Sequence, residues 1–279
     1  MRLRDAICGA MVLSALAPAG ARAQQRPLVT EDPETVGVNR VLVEGGMEFD
    51  RDQLYSAYGL KGDTTHGPTF GVSVGLGPST EIHVDAGLLQ RLHVNTRTPA
   101  PLSQVLDFTT GTSSSLEDFT VATKIRLAGE HEGHPAFGVR FGTKLPTARR
   151  ESGMGLGTTD FFAAFLVGKT VESVRTVGNV GLLVLGNPIS AQQPVRALAL
   201  GLSVARALTN DFEVVGEVNG HLDPMGPAPP PGTEGRGILR LAGRYTHGLL
   251  RLDLGILVGI TPRDPAFGIS AGATYVIGK

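Results

Sequence analysis

Seven histidines, His66, His83, His93, His131, His134, His221 and His247, and one cysteine are the obvious candidates for chemistry in this chain. His83 and Asp85 stand two residues apart, the spacing that puts both side chains on one face of a β-strand. An imidazole beside a carboxylate is the base half of a hydrolase that would also need a serine. No serine falls in obvious reach of the pair, so both are read as polar residues on the wall of a lumen. His131-Glu132-Gly133-His134 offers two imidazoles that could share a metal ion if they lay on a helix. The segment reads instead as a short solvated turn. Gly153-Met154-Gly155-Leu156-Gly157 lacks the strand-to-helix setting and the following lysine of a phosphate loop, and is read as a flexible surface loop. Cys8 lies in an N-terminal apolar stretch. No catalytic residue, cofactor or metal ion is expected.

The residues that do form a pattern are charged and spread along the chain. Glu44, Glu48, His83 and Asp85 come first, then the basic set Lys124, Arg126, Arg140 and Lys144, then Glu217, Arg240, Arg244, Arg251 and Asp253. Each occupies an alternate position opposite an apolar face. Leu250, Leu252, Leu254, Ile256, Val258 and Ile260 illustrate the apolar side, with Arg251, Asp253, Gly255 and Gly259 between them. Strict alternation is the mark of strands with two different faces.

The same pattern predicts twelve strands near 39–51, 68–77, 80–92, 117–128, 135–146, 158–169, 175–186, 195–208, 211–221, 236–246, 249–260 and 266–277. A soluble sandwich would carry its charges on an exposed face rich in Lys, Glu, Ser and Thr. Here the second face is mostly glycine, alanine and a few charges. Only 18% of residues are charged, while glycine, at 38 of 279, is about twice its usual share. Apolar outside and small or polar inside is the arrangement of a barrel in lipid, and only closure satisfies every strand's backbone in hydrocarbon. The fold class is therefore all-β, a transmembrane antiparallel up-and-down barrel of about twelve strands. Connections near 52–67, 93–116, 147–157, 187–194, 222–235 and 261–265 are long and those between them short, so loops and turns sort to opposite ends. Phe49, Phe70, Phe137, Phe161, Phe212, Tyr245, Phe267 and Tyr275 would have to form the interfacial belts, because tryptophan is absent.

Residues 1–23 read as a secretory signal: Arg2 and Arg4, an apolar stretch, then Ala21-Arg22-Ala23 as the cleavage site. Residues 24–38 are expected as a periplasmic segment and 39–279 as the barrel. A net charge of −1 disfavours an electrostatic nucleic-acid partner.

Several short motifs carry a family resemblance. They are Pro27-Leu28-Val29-Thr30-Glu31-Asp32-Pro33 with Gly37 ahead of the Glu44 strand, Lys144-Leu145-Pro146-Thr147, Gly155-Leu156-Gly157-Thr158-Thr159-Asp160-Phe161, Asn179-Val180-Gly181 and the Glu217 strand. Together they resemble the outer-membrane transporter family associated with the meta-cleavage pathway of phenol degradation. The resemblance implies a twelve-stranded barrel and uptake of aromatic compounds. The expected function is a passive outer-membrane channel for small solutes through a narrow lumen lined by the thirteen inward residues named above. Outer-membrane lipid, the barrel-assembly machinery and the solute are its expected partners. A closed structural or surface barrel and a lipid-modifying barrel enzyme are the alternatives. The lumen itself reads equally as a wet pore or as one closed by salt bridges, since charges taken from water must be paired or hydrated.

Overall fold

The computed structural model describes residues 26–109, 111–190, 193–224 and 228–278. The expected signal segment and Cys8 lie outside the described residues. The chain forms strand segments β1 (Val41–Tyr55), β2 (Leu60–Gly75), β3 (Thr80–Gly87), β4 (Gln90–Arg97), β5 (Thr112–Ser115), β6 (Phe119–Ala128), β7 (Ala136–Leu145), β8 (Asp160–Val171), β9 (Val174–Leu185), β10 (Val195–Ala207), β11 (Phe212–His221), β12 (Arg236–His247), β13 (Leu250–Gly259) and β14 (Phe267–Ile277). All pairings are antiparallel, and β1 closes the sheet by pairing with both β14 and β2.

Fourteen segments make twelve wall positions. β3 and β4 lie end to end along β2, with Thr69 opposite Gly87 and His66 opposite Gln90. β5 and β6 continue that line as one descending strand, β5 against β4 and β6 against β3. The third and fourth strands are thus longer than the expected 80–92 and 117–128, and the loop between them shrinks to 98–111. The first hairpin departs further. Residues 52–67, expected as a loop, are mostly strand, and only 56–59 turn the chain. Polar residues such as Asp52, Asp63 and Thr64 disguise this stretch, where β2 pairs with β1 and β4 through register shifts at Asp50/Gln53 and Lys61/Gly62.

Alternation explains the wall. All six apolar residues of the Leu250–Ile260 series are exposed, as are Met47, Phe49, Leu182, Leu200, Leu202, Leu239, Leu241 and Ile269. Small or charged residues between them turn inward. An aliphatic outer surface of this extent is stable only against hydrocarbon. Phe212, Tyr245 and Tyr275 are exposed near the short-turn end, and Phe49, Phe161 and Phe267 near the long-loop end, so phenylalanine and tyrosine supply two belts without tryptophan. Leu254, 64% exposed at the centre of β13, tests the polarity of this wall. Leu254→Arg should cost about 2–4 kcal/mol at the bilayer midplane, read from the denaturant midpoint of the barrel folded in lipid vesicles. An unchanged midpoint would contradict a lipid-facing wall.

At the long-loop end the connections pack on each other. Ala57, Tyr58, Leu60, Leu92, Leu102 and Met154 form an apolar cluster, and the Tyr58 hydroxyl donates to the Gly155 carbonyl at 2.6 Å. The glycine-rich 153–157 stretch is therefore a packed part of this cap, in place of the flexible loop expected. Gly153 there has φ of 78°, a left-handed conformation that favours glycine.

Candidate functional site

Residues 26–38 were expected to hang in the periplasm, and the structure places them inside the barrel. The segment runs across the strands on the inner wall, from β12 to β2. Arg244 Nε donates to the Arg26 carbonyl at 3.1 Å, and Leu28 packs on Ala205, Val215 and Ala242. The Val29 and Thr30 amides both donate to the Glu217 carboxylate. Asn179 clamps Glu31 by accepting from its amide at 2.7 Å and donating to its carbonyl at 2.8 Å. The Val36 amide then reaches Glu81 Oε2 at 2.6 Å, and Val36 packs against Leu42 and Val276. A strap with no strand partners of its own must satisfy its backbone with side chains, and inward polar residues of the wall do so.

The strap also brings acid to the basic wall. Glu31 sits 2.9 Å from Arg140 Nε and 3.4 Å from Lys124 Nζ, Asp32 lies 2.7 Å from Arg175, and Glu34 lies 2.5 Å from Arg126. Burial alone would raise the Glu31 carboxyl, but Arg140 and Lys124 outweigh it and hold it below the usual carboxylate range. Inward glycines make room for this chain. A methyl group at Gly201 would sit 2.7 Å from Thr30 Oγ1, and one at Gly138 would sit 3.2 Å from Pro33 Cβ.

The thirteen residues singled out from the sequence all turn away from the outer wall, but they are not one constellation. Lys124, Arg126, Arg140 and Glu217 meet the strap directly. Arg240 bridges Glu217 at 3.0 Å and Glu48 at 3.3 Å, so acid from β1 meets base from β12 past the intervening β14 and β13. Arg244 and Arg251 converge on Glu213, at 3.4 and 3.3 Å. Asp253 lies opposite Arg244 in register. Lys144 is held at the loop end by Asp118 and Asp160, at 2.7 and 3.2 Å. Glu44, His83 and Asp85 gather on β1 and β3. Sequence reasoning missed Glu81, 2.9 Å from Lys124, at the start of β3, along with Arg175, Glu213 and the strap carboxylates. An unbalanced run of inward bases on β6 and β7, with an acidic Glu31-Asp32-Pro33-Glu34 stretch upstream, was the available signal.

A second difference concerns His83. Its Nδ1 lies 2.6 Å from Ser73 Oγ on the neighbouring β2, so strand pairing supplies the serine that linear spacing did not. Ser73 is only 3% exposed and faces the interior, where no lipid ester reaches its oxygen. His131 and His134 lie on an exposed turn between β6 and β7, their rings in edge contact at 5.0 Å. Beside this turn, at the short-turn mouth, a cavity of about 800 Å³ is lined by Glu34, Thr35, Arg40, Arg126, Glu130 and Arg175.

No family model and no curated protein sequence matches the chain. Solved structures do. An outer membrane channel from Pseudomonas putida F1 aligns with a TM-score of 0.62 at 13% identity, over 88% of this chain and 98% of that one. The NanC porin aligns at 0.52 and 9% identity, over 86% and 99%. The KdgM porin, solved in complex with disordered oligogalacturonate, aligns at 0.51 and 7% identity, again over 86% and 99%. At such identities the likeness establishes the fold: a closed antiparallel barrel of the outer-membrane type.

Proposed function

We propose that the protein is a passive outer-membrane channel for small solutes, narrowed by its own N-terminal strap. The observation that carries this reading is a closed barrel with an aliphatic outer wall and an interior of paired charges rather than packed apolar side chains. Eight strands are filled by side chains and sixteen leave a wide channel, so twelve with a strap leave a constricted path. In this reading the short turns, the start of β1 and the end of β14 face the periplasm. The packed long loops face outward, lipid contacts the aliphatic wall, and the barrel-assembly machinery inserts the chain. Lys124, Arg140, Arg240, Arg244 and the other inward residues line the path.

Aromatic compounds are the proposed solute class. The motif resemblance supports it, as does the pairing of apolar and cationic groups along the interior. Arg140 lies 4.9 Å over the Phe162 ring, and the Tyr58 cluster sits at the outer mouth. Liposomes carrying the purified chain should admit small aromatic acids without ATP, and Arg244→Glu should shift ion preference toward cations. Liposomes that stay impermeable to every small solute would overturn the proposal. The ion-paired strap supports a second reading, a sealed surface barrel whose loops alone are functional; there, Arg244→Glu changes stability only.

A further inference from the structure

The reading above gives the Glu44–His83–Asp85 group only a place on the inner wall. Donor atoms of the three side chains all lie within 4.8 Å of one another. They come from β1 and β3, across the intervening β2, where Gly71 is the register partner of both Glu44 and Asp85. Gly71 is what allows the approach. A methyl group there would sit 2.9 Å from Asp85 Oδ1 and 3.0 Å from Glu44 Cγ. Two carboxylates leaning together over a glycine, one of them almost wholly buried, repel strongly unless a proton or a cation lies between them. Arg140 lies 4.0 Å from Asp85 Oδ2, and its Nε is committed to Glu31 at 2.9 Å. The Thr274 hydroxyl reaches Glu44 Oε2 only at 3.5 Å.

His83 adds an independent observation. It is 1% exposed, and its Nδ1 is fixed by Ser73 Oγ at 2.6 Å. Its Nε2 stands 2.7 Å from Asp85 Oδ2. A hydroxyl on Nδ1 is also the outer partner that fixes a metal-binding imidazole with its Nε2 lone pair forward.

We propose that Glu44, His83 and Asp85 form a divalent transition-metal site on the lumen wall, with Ser73 as the positioning residue for His83. One imidazole and two carboxylates suit Zn²⁺ and its first-row neighbours, whereas an all-oxygen set would suit Mg²⁺ or Ca²⁺. Three protein ligands leave a position for water. The Asp85 side chain, 41% exposed, opens the site to the lumen. A bound ion ties β1 to β3 across β2, beside the point where Glu31 of the strap meets Arg140.

The test uses the untagged full chain, folded in detergent and stripped with chelator. Equilibrium dialysis should find one Zn²⁺ per chain, and Co²⁺ should give a visible absorption band that Zn²⁺ displaces. Asp85→Asn and His83→Gln should each weaken Zn²⁺ binding at least tenfold, and Ser73→Ala by about 10–100-fold. Heat-dependent gel migration confirms that each variant retains the barrel; Asp85, the most exposed of the three, is the variant least able to disturb it. A folded wild-type chain that takes up no Zn²⁺, or folded Asp85→Asn and His83→Gln variants that bind as tightly as wild type, would overturn the proposal. Neither readout depends on conductance.

Discussion

A chain lacking residues 26–38 should still fold as a heat-modifiable barrel and should conduct severalfold more current than the full chain in planar bilayers. Every described strand except the short β5, which pairs with β4 alone, has two neighbours without the strap, since β1 closes on β14 and β2. The strap supplies interior cross-section and charge. Removing it takes Glu31, Asp32 and Glu34 out of the lumen and leaves Arg126, Arg140 and Arg175 without those partners. The wider pore should therefore also prefer anions, visible as a shift of reversal potential in a salt gradient. Unchanged conductance and selectivity would mean that the strap does not limit the path.

Glu31→Gln should release the same strap without shortening the chain. The carboxylate lies between Lys124 and Arg140, and its side chain is nearly fully buried. Removing one partner of a buried ion pair costs about 3–5 kcal/mol, or roughly two to four orders of magnitude in the docked-to-free ratio of the strap. Glu81 still neutralises Lys124 at 2.9 Å, so Arg140 bears most of that loss. The measurement is the rate of protease cleavage within 26–38 on the folded barrel. Acid should mimic the substitution in the wild type. The Glu31 carboxyl is held below its ordinary 4.5, so its contribution is complete above that value and disappears as pH falls through the lower, folded value. Wild-type cleavage should rise only below about pH 4.5, while Glu31→Gln cleaves fast throughout. Equal resistance in both chains at neutral pH would contradict a strap anchored by Glu31.

The wall was legible because period-two alternation is a local property. Leu250 to Ile260 could be assigned to one face from the sequence, and all six of its apolar members are exposed. The first hairpin was not legible: outside the apolar band its residues gain nothing from alternation, and Asp52, Asp63 and Thr64 read as loop. The strap was the larger loss. Two prolines and a mixed run of acids give it no period, and its conformation is imposed by partners more than forty residues away, such as Glu81 and Glu217. The inward charges were identified correctly as inward, but their partners were sought on facing walls. The barrel pairs several of them with adjacent strands, as in Arg240–Glu217 and Arg244–Glu213, and others with the strap. Ser73 escaped for a related reason, since its closeness to His83 is a matter of strand register.

Single-channel recording of the full-length chain, strap in place, tests the central claim most directly. Discrete, small, voltage-independent steps from the untruncated protein, altered in ion preference by Arg244→Glu, are the predicted result. A full-length chain that is folded and inserted yet electrically silent, with current appearing only after residues 26–38 are removed or not at all, would identify a sealed barrel and contradict a constitutive channel.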